Sequence, residues 1–352
     1  MFDNLTIIIP THERQELLLR SLKFYKKYNI SIIIVDSSKK AIADKIKLKW
    51  PKNFKYFHTP NQSISSKLFF AINKVGTKYV NLCPDDDFLN MESLLEGIKY
   101  LESNKCYISV QGLCLNFLKK NNQINFFLPT LNECKLNYNA ENADIFKRVE
   151  QHFGNQHEYA LFRTDVAYKC LETVSHCNMI TPFHCSFTLV GLLYGYHKNL
   201  NILWMARDKA RYSIYKNVHG NDQIKEQSIL EIDKANSSLE ITNWSEYIAT
   251  NEGVLIAEKF NKLLSRDFNL RDESNFLTNI ISTHTKKYLN YMSTFKQRLK
   301  NKLHINIFSI YIKYRDSKIE SIRQLMFSNN EIKKIIKSKD FKILKKSIED
   351  LL

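Results

Sequence analysis

The chain has 352 residues, of which 44% are hydrophobic and 25% charged, and it contains seven cysteines. This composition is that of an ordinary globular protein, and the length allows one large domain or two. No apolar run approaches the roughly 20 residues that a membrane span needs, and the N-terminus shows no signal-peptide pattern. An odd number of cysteines without a C-x-x-C pair favours a reducing compartment. We therefore expect a cytoplasmic protein.

The formal net charge of +16 is unevenly distributed along the chain. Residues 286–352 contain 17 Lys and Arg against 6 Asp and Glu. Such a segment can contact an anionic membrane surface, nucleic acid or only solvent. No recognised nucleic-acid-binding motif accompanies the charge, so no nucleic acid partner is expected. None of the eight glycines forms a G-x-G-x-x-G or P-loop motif, which argues against classical dinucleotide and Walker-type sites.

Short apolar, β-branched runs alternate with helical patterns in the first 90 residues. The runs at 5–9, 30–35, 54–58 and 79–83 predict buried strands of a parallel α/β sheet. Thr11 is also placed to cap the first helix. Ligands of such sheets lie outside the carboxyl ends of the strands. The polar residues at or just beyond these ends are Thr11, His12, Arg14, Asp36, Asn61 and Asp85–Asp87.

Three consecutive carboxylates, Asp85–Asp87, follow the fourth of these strands directly. They repel one another at neutral pH, so their charge must be offset. A solvated acidic turn is one possibility. At the carboxyl end of a buried strand, a divalent cation with hard oxygen ligands is the better one, because it also binds substrate phosphates.

Further along, we expect a helix at 91–103, strands at 107–110, 112–117 and 200–206, and a helix at 183–194. Beyond residue 222 the pattern becomes helical and basic. The apolar residues 332, 336, 344, 348 and 352 fall on one face of a helix, and lysines occupy much of the rest. This face can dock on its own domain, with the lysines in solvent, or it can contact a membrane.

The segments 5–14, 33–38 and 79–88 resemble the family 2-like glycosyltransferases of the GT-A fold. The resemblance implies a Rossmann-like, mostly parallel sheet flanked by helices over residues 1–222, followed by a helical, basic region at 223–352. It implies transfer of a sugar from a nucleotide-sugar donor to a glycan or lipid-linked acceptor in bacterial surface polysaccharide assembly. The implied cofactor is Mg²⁺ or Mn²⁺.

The resemblance also implies roles for particular residues. Pro10, Thr11 and His12 would line the nucleotide site, and Asp36 would hold the base or ribose. Asn61 begins, and Lys67 ends, a segment in which relatives often carry a glycine and an arginine. The implied donor-binding residues are Pro10, Thr11, His12, Arg14, Asp36, Asn61, Lys67, Asp85 and Asp86, and the implied metal ligands are Asp85 and Asp87.

The catalytic base is the role that the sequence leaves most open. Family 2 enzymes usually take an acidic residue from the region that corresponds to 181–186, which here contains no Asp or Glu. His184 is the candidate base, because an imidazole titrates near neutral pH, although a histidine beside apolar residues is more often structural. Asp208 or Asp222 as the base, a retaining mechanism and lost activity remain alternatives.

Other readings stay open as well. Arg207, Arg211 and His219 could reach the donor pyrophosphate from the lip of the site, or form a solvated surface. The activated group could be a nucleotide-linked phospho-polyol instead of a sugar. The chain could also be a non-catalytic glycan- or membrane-binding module of GT-A fold. Its basic C-terminal helices could hold it at the inner face of the cell membrane.

Overall fold

The computed structural model describes residues 2–120, 123–127, 139–152, 157–178, 180–208, 251–268 and 330–352. Contacts divide the chain into two units. The first consists of Met1–Lys209 and Met326–Leu352, and the second of Ala210–Leu325. The division predicted at residue 222 lies outside the described ranges, and the contacts group the last two helices with the first unit.

The first half of the chain forms the alternating elements that its apolar runs predict. They are β1 (Leu5–Thr11), α1 (Gln15–Tyr25), β2 (Ser31–Asp36), α2 (Asp44–Lys47), β3 (Phe54–His58), α3 (Ile64–Ile72), β4 (Tyr79–Leu82), β5 (Phe88–Leu89) and α4 (Met91–Ser103). Side-chain caps fix two helix starts. Ser63 accepts a hydrogen bond from the Ser66 N–H at the start of α3, and Asn90 accepts from the Glu92 and Ser93 N–H groups at the start of α4.

The remaining described elements include the other strands of the sheet. They are β6 (Tyr107–Lys120), β7 (Gln123–Phe127), α5 (Ile145–His152), β8 (Leu161–Arg163), α6 (Thr164–Val174), α7 (Ile180–Leu189), β9 (Tyr196–Asp208), α8 (Asn251–Phe268), α9 (Asn330–Lys337) and α10 (Lys339–Glu349). Two 3₁₀ turns, His157–Tyr159 and Gly191–Leu193, precede β8 and β9. Helix α8 belongs to the second unit.

The described strands form one sheet in the order β3-β2-β1-β4-β8-β6-β9-β5, with β7 paired to β6. Strands β3, β2, β1 and β4 run parallel, as do β6 and β9, whereas β5, β7 and β8 pair antiparallel with their neighbours. The mostly parallel sheet flanked by helices is therefore confirmed. Because β1 lies between β2 and β4, the strand order reverses there, and sheets of this kind bind ligands beyond the carboxyl ends of the strands at such a point.

The two strands predicted at 107–110 and 112–117 are one strand, β6. Its pairing with β9 shifts register at three places, between Tyr107 and Cys114. Gly112 lies within this irregular stretch, where a Cβ would come within 2.5 Å of the Ile202 carbonyl oxygen. The glycine thus permits the close approach of the two backbones. The predicted helix at 183–194 is α7 followed by the second 3₁₀ turn.

The last two helices pack on the first unit. The apolar side chains of Ile335, Phe341, Leu344 and Ile348 are buried, and the Phe341 ring lies 5.2 Å from that of Phe126. Lys27 Nζ of α1 donates a hydrogen bond of 2.8 Å to Ser347 Oγ. The apolar face of α10 is therefore covered by the chain itself, and Lys342 and Lys346 are exposed. In the described ranges, no helix combines the length and apolarity that crossing a bilayer requires.

Candidate active site

The end of β1 connects directly to the acidic segment after β4. Thr11 Oγ1 donates a hydrogen bond of 2.6 Å to Asp85 Oδ2. The prediction that Thr11 caps α1 is wrong, because Thr11 is still part of β1 and its hydroxyl is used by Asp85. The cap position belongs to Arg14, which makes no side-chain capping bond.

The three carboxylates of Asp85–Asp87 are buried, with relative exposures of 0%, 1% and 0%. The alternative of a solvated acidic turn is therefore wrong. A hydrogen bond from Cys83 N–H to the Ile8 carbonyl, 3.0 Å, continues the β1–β4 pairing up to the acidic segment, and Asp87 N–H then closes a turn on the Pro84 carbonyl at 3.3 Å. Buried carboxylates need counter-charges nearby.

Arg14 supplies part of that counter-charge from the turn between β1 and α1. Its Nε lies 3.3 Å from Asp85 Oδ2, its Nη1 lies 3.1 Å from Asp86 Oδ2, and its Nη2 donates to Asp85 Oδ1. One guanidinium thus bridges two adjacent carboxylates. Burial raises the pKa of Asp85 to about 6, although Arg14 and Thr11 oppose the shift, and the neighbouring Asp86 adds to it.

Two further arginines hold the other side of the acidic segment. Arg20 of α1 donates from Nη1 to Asp208 Oδ2 at 2.8 Å and from Nη2 to the Asp86 carbonyl at 3.0 Å. Arg207 Nε lies 3.4 Å from Asp87 Oδ2, and the Asp208 N–H donates to Asp87 Oδ1 at 3.0 Å. The end of β9 is thereby fixed to the acidic segment.

Lys67 ties the ends of β1 and β2 together from helix α3. Its Nζ donates to the Thr11 carbonyl at 2.7 Å and to Ser37 Oγ at 3.0 Å. Burial lowers the pKa of Lys67 to about 8, while the charges of Asp85 and Asp36 oppose this shift. The ammonium is buried, at 4% exposure, and its contacts join the end of β1 to Ser37, the residue after β2.

Asp36 is fully buried at the end of β2. Its Oδ1 accepts from the Ser38 N–H at 2.8 Å and its Oδ2 from the Tyr56 hydroxyl at 2.7 Å. Burial, followed by the hydrogen bond to Asp36, raises the pKa of Tyr56. The buried carboxylate therefore stabilises the loop after β2 by accepting the hydrogen bond from Ser38.

The two predicted residues nearest to solvent flank Ser37. His12 is exposed, and its Nδ1 lies 3.1 Å from Ser37 Oγ. Asn61 is also exposed; its N–H donates to the Ser37 carbonyl at 3.4 Å, and its φ is 62°. This left-handed backbone favours glycine and tolerates asparagine, which fits a position within a segment where relatives often carry a glycine.

The structure thus brings most of the predicted residues together, and the others lie outside the residues or side chains that it describes. Pro10 lies in β1, paired with Val35 of β2. His184 belongs to α7, but its side chain is outside the described part of the structure. Arg211, His219 and Asp222 also lie outside the described residues.

Sequence reasoning overlooked Arg20. A signal for it existed, since Arg20 stands three residues after Leu17 and four before Phe24, which are both buried on the inner face of α1. A charge on the apolar face of a helix indicates a buried partner. In this case the partners are Asp208 and the Asp86 carbonyl.

Comparisons with known proteins identify the family of the N-terminal region. Residues 6–170 match the sequence model of the family described as Glycosyl transferase family 2. The match confirms, for these residues, the resemblance noted from the sequence. No match was found among curated proteins.

Solved structures of the Staphylococcus aureus protein TarS are similar to this chain at low sequence identity. TarS 1–349 shares 12% identity over 83% of this chain and 92% of its own, with a TM-score of 0.44. The same fragment in complex with UDP-GlcNAc shares 12% identity over 84% and 92%, with a TM-score of 0.45. A longer TarS chain shares 13% identity over 78% and 45%, with a TM-score of 0.39.

Proposed function

We propose that the chain transfers a sugar from a nucleotide-sugar donor to a glycan or lipid-linked acceptor in the assembly of a bacterial surface polysaccharide. The observation that carries the proposal is the placement of Thr11, Arg14 and Asp85–Asp87 at one edge of the sheet, inside the segment that matches family 2. Sheets of this kind bind their ligands beyond the carboxyl ends of such strands, here β1, β2 and β4.

The donor would lie with its nucleotide against Pro10–His12 and with its diphosphate near Arg14. A guanidinium suits this task, because its planar fork matches phosphate oxygens. Lys67 and Asp36 would act from the buried side of the site, since their hydrogen bonds hold the loops after β1 and β2 in place. The ends of the first two strands would therefore form a preorganised binding surface for the nucleotide.

The residues also fit a divalent cation. Carboxylate oxygens are the ligands that Mg²⁺ and Mn²⁺ prefer, and Asp85 and Asp87 would hold the ion. When bound, it would stabilise the negative charge that develops on the nucleoside diphosphate leaving group. Mg²⁺ is commonly held by one or two carboxylates together with substrate phosphates, and the described residues contain no cluster of three or more His, Cys, Asp or Glu side chains able to hold a metal.

His184 remains the proposed base. Asp208, the other candidate among the described residues, is buried at 4% exposure and accepts an ion-pair contact of 2.8 Å from Arg20. These contacts suit a group that positions its neighbours better than one that takes a proton from an acceptor. The variant His184→Gln should lower the rate of transfer and leave donor binding unchanged; weaker donor binding with an unchanged rate would exclude the role.

We further propose peripheral contact with the anionic inner face of the cell membrane through the lysines of α10. Because the apolar face of this helix is buried within the first unit, the contact would be electrostatic and screened by salt. Sedimentation with vesicles containing phosphatidylserine should show binding at low salt that Lys342→Gln/Lys346→Gln weakens. Equal binding to neutral vesicles would contradict this mode of contact.

The direct test of the function is product formation with purified chain. A panel of nucleotide sugars and one nucleotide-activated phospho-polyol would be incubated with lipid-linked acceptors and Mn²⁺, and release of the nucleotide would be measured. We expect turnover with one nucleotide sugar, lost in Asp87→Asn and kept in Glu102→Gln, which changes an exposed carboxylate. Turnover of the phospho-polyol donor alone would replace the sugar in the proposal, and no turnover of any donor would favour a non-catalytic module.

A further inference from the structure

We propose that Arg14 is the resident counter-ion of Asp85 and Asp86, and that a divalent cation reaches its proposed ligand Asp85 only when the guanidinium leaves these carboxylates. The inference deepens the proposed function, because it concerns the ion that would accompany the donor. It makes Arg14 a residue that alternates between the protein's own carboxylates and the donor diphosphate.

The contacts of Asp85 show why displacement is needed. Its Oδ1 accepts from Arg14 Nη2, and its Oδ2 accepts from Thr11 Oγ1 at 2.6 Å and faces Arg14 Nε at 3.3 Å. Both oxygens of this buried carboxylate thus have donors directed at them. An ion that approaches either oxygen meets the positively charged guanidinium, which it must displace.

Asp86 is held by the same side chain. Its Oδ2 lies 3.1 Å from Arg14 Nη1, and its relative exposure is 1%. One guanidinium therefore compensates two buried carboxylates at once. Departure of Arg14 without a replacement would leave both carboxylates buried without this partner, which is strongly unfavourable. Arrival of the ion and departure of Arg14 are therefore coupled events.

Arg14 is better placed to leave than the other two arginines of the site. Its side chain is 25% exposed, compared with 15% for Arg20 and 9% for Arg207. The guanidinium of Arg20 also lies 5.3 Å from the centre of the Phe88 ring, and that of Arg207 lies 4.9 Å from the centre of the Tyr159 ring. Arg14 sits on the turn between β1 and α1, at the edge where the diphosphate would arrive.

The charges then predict a coupling between metal and diphosphate. A divalent ion without the diphosphate must compete with Arg14 for the carboxylates. With a diphosphate present, the released guanidinium gains phosphate oxygens as partners. Each ligand should therefore strengthen the binding of the other by the same factor. Metal alone should bind the wild-type chain weakly.

The test uses Mn²⁺ alone with the full chain, and the dissociation constant is measured by electron paramagnetic resonance. Removal of the competing charge in Arg14→Gln should tighten Mn²⁺ binding at least tenfold, which corresponds to about 1.4 kcal/mol. Adding Asp85→Asn to this variant should abolish the gain. Lys78→Gln, which removes an exposed lysine paired with Glu102, is the matched control and should leave the affinity as in the wild type.

Mn²⁺ binding to Arg14→Gln that is no tighter than to the wild type would overturn the inference, as would a gain that survives Asp85→Asn. Should Arg14→Gln fail to fold by circular dichroism, Arg14→Lys is the second variant. It keeps one charge but loses the fork, so a smaller gain is expected, and wild-type affinity would overturn the inference. Nucleotide-sugar turnover is measured in parallel. Turnover without the gain in Mn²⁺ affinity would contradict this inference alone, whereas the absence of turnover would contradict the proposed function.

Discussion

Two clusters of titratable groups are buried in the first unit, and they differ in charge. The acidic segment Asp85–Asp87 carries its charge into the interior and meets it with arginines. The second cluster is a pair of histidines, His157 before β8 and His197 in β9, with exposures of 2% and 1%. Their rings stack with centroids 4.2 Å apart and planes at 18°.

The pKa shifts separate the two clusters. Burial, together with the nearby His152, lowers the pKa of His157 to about 3. The pKa of His197 is lowered as well, by burial and by both other histidines. At Asp85, burial also disfavours the charged form, but Arg14 opposes it and the pKa reaches only about 6. The fold thus supplies counter-ions where the proposed chemistry needs charge, and it keeps the histidines neutral where they stack on each other.

The largest effect should come from removing an arginine that neutralises the acidic segment and the end of β9. Arg20→Met would leave Asp208 buried without its ion-pair partner, and breaking such a pair typically costs about 3–5 kcal/mol. Denaturant unfolding measures the loss. Lys78→Met removes a lysine from an exposed pair with Glu102 and is the control with no expected change. Equal stability of the two variants would mean that the free energy of unfolding does not depend on the contacts of Arg20.

A somewhat smaller effect is expected on transfer when a carboxylate of the edge is neutralised. Asp87→Asn keeps an oxygen for the Asp208 N–H but loses the charge that would hold the cation. Loss of one preorganised electrostatic group typically lowers the rate about 10²–10³-fold. Steady-state transfer assays on the variant and on Glu102→Gln provide the comparison. Wild-type rates in Asp87→Asn would remove this residue from the site.

The smallest effect is the pH dependence of the histidine pair. Above about pH 6.5 both histidines are neutral in the folded and unfolded chain, and they contribute nothing. Below that pH the unfolded chain binds protons that the folded chain excludes, so stability falls as the pH falls toward the folded pKa of about 3 for His157. Each histidine contributes a slope of up to about 1.4 kcal/mol per pH unit.

His157→Gln should therefore flatten the loss of stability between pH 6 and pH 4 by about that slope. The readout is the change of unfolding free energy with pH, which is independent of any loss of packing common to all pH values. A variant whose slope equals that of the wild type would show that His157 is protonated in the folded chain. In that case the two clusters would not differ as described.

Much of the fold and of the candidate edge could be predicted because both depend on local patterns. The buried runs of β1 and β2 are short and β-branched and end at Thr11 and Asp36, and the short strand β4 is followed three residues later by Asp85. Parallel strands place those ends side by side, so Thr11, Asp36 and Asp85 could be assigned to one edge from the chain order alone.

The partners that neutralise this edge could not be predicted, because they come from distant parts of the chain. Arg20 and Asp208 are 188 residues apart, and no local pattern links them. The same holds for the stacked His157 and His197, and for the docking of α10 against Lys27. Thr11 was assigned to the wrong bond for a similar reason, since its hydroxyl partner lies 74 residues away.

The measurement that tests the central claim most directly is thermal unfolding of the wild-type chain and of Asp87→Asn with nucleoside diphosphates and nucleotide sugars, each with Mn²⁺ or with EDTA. A ligand at 100 times its Kd adds about 2.7 kcal/mol to the stability of the folded state. We expect one nucleotide series to raise the unfolding temperature of the wild type when Mn²⁺ is present, and to leave that of Asp87→Asn unchanged. Equal stabilisation of both proteins, or of neither by any nucleotide, would contradict the assignment of the Asp85–Asp87 edge as the donor site.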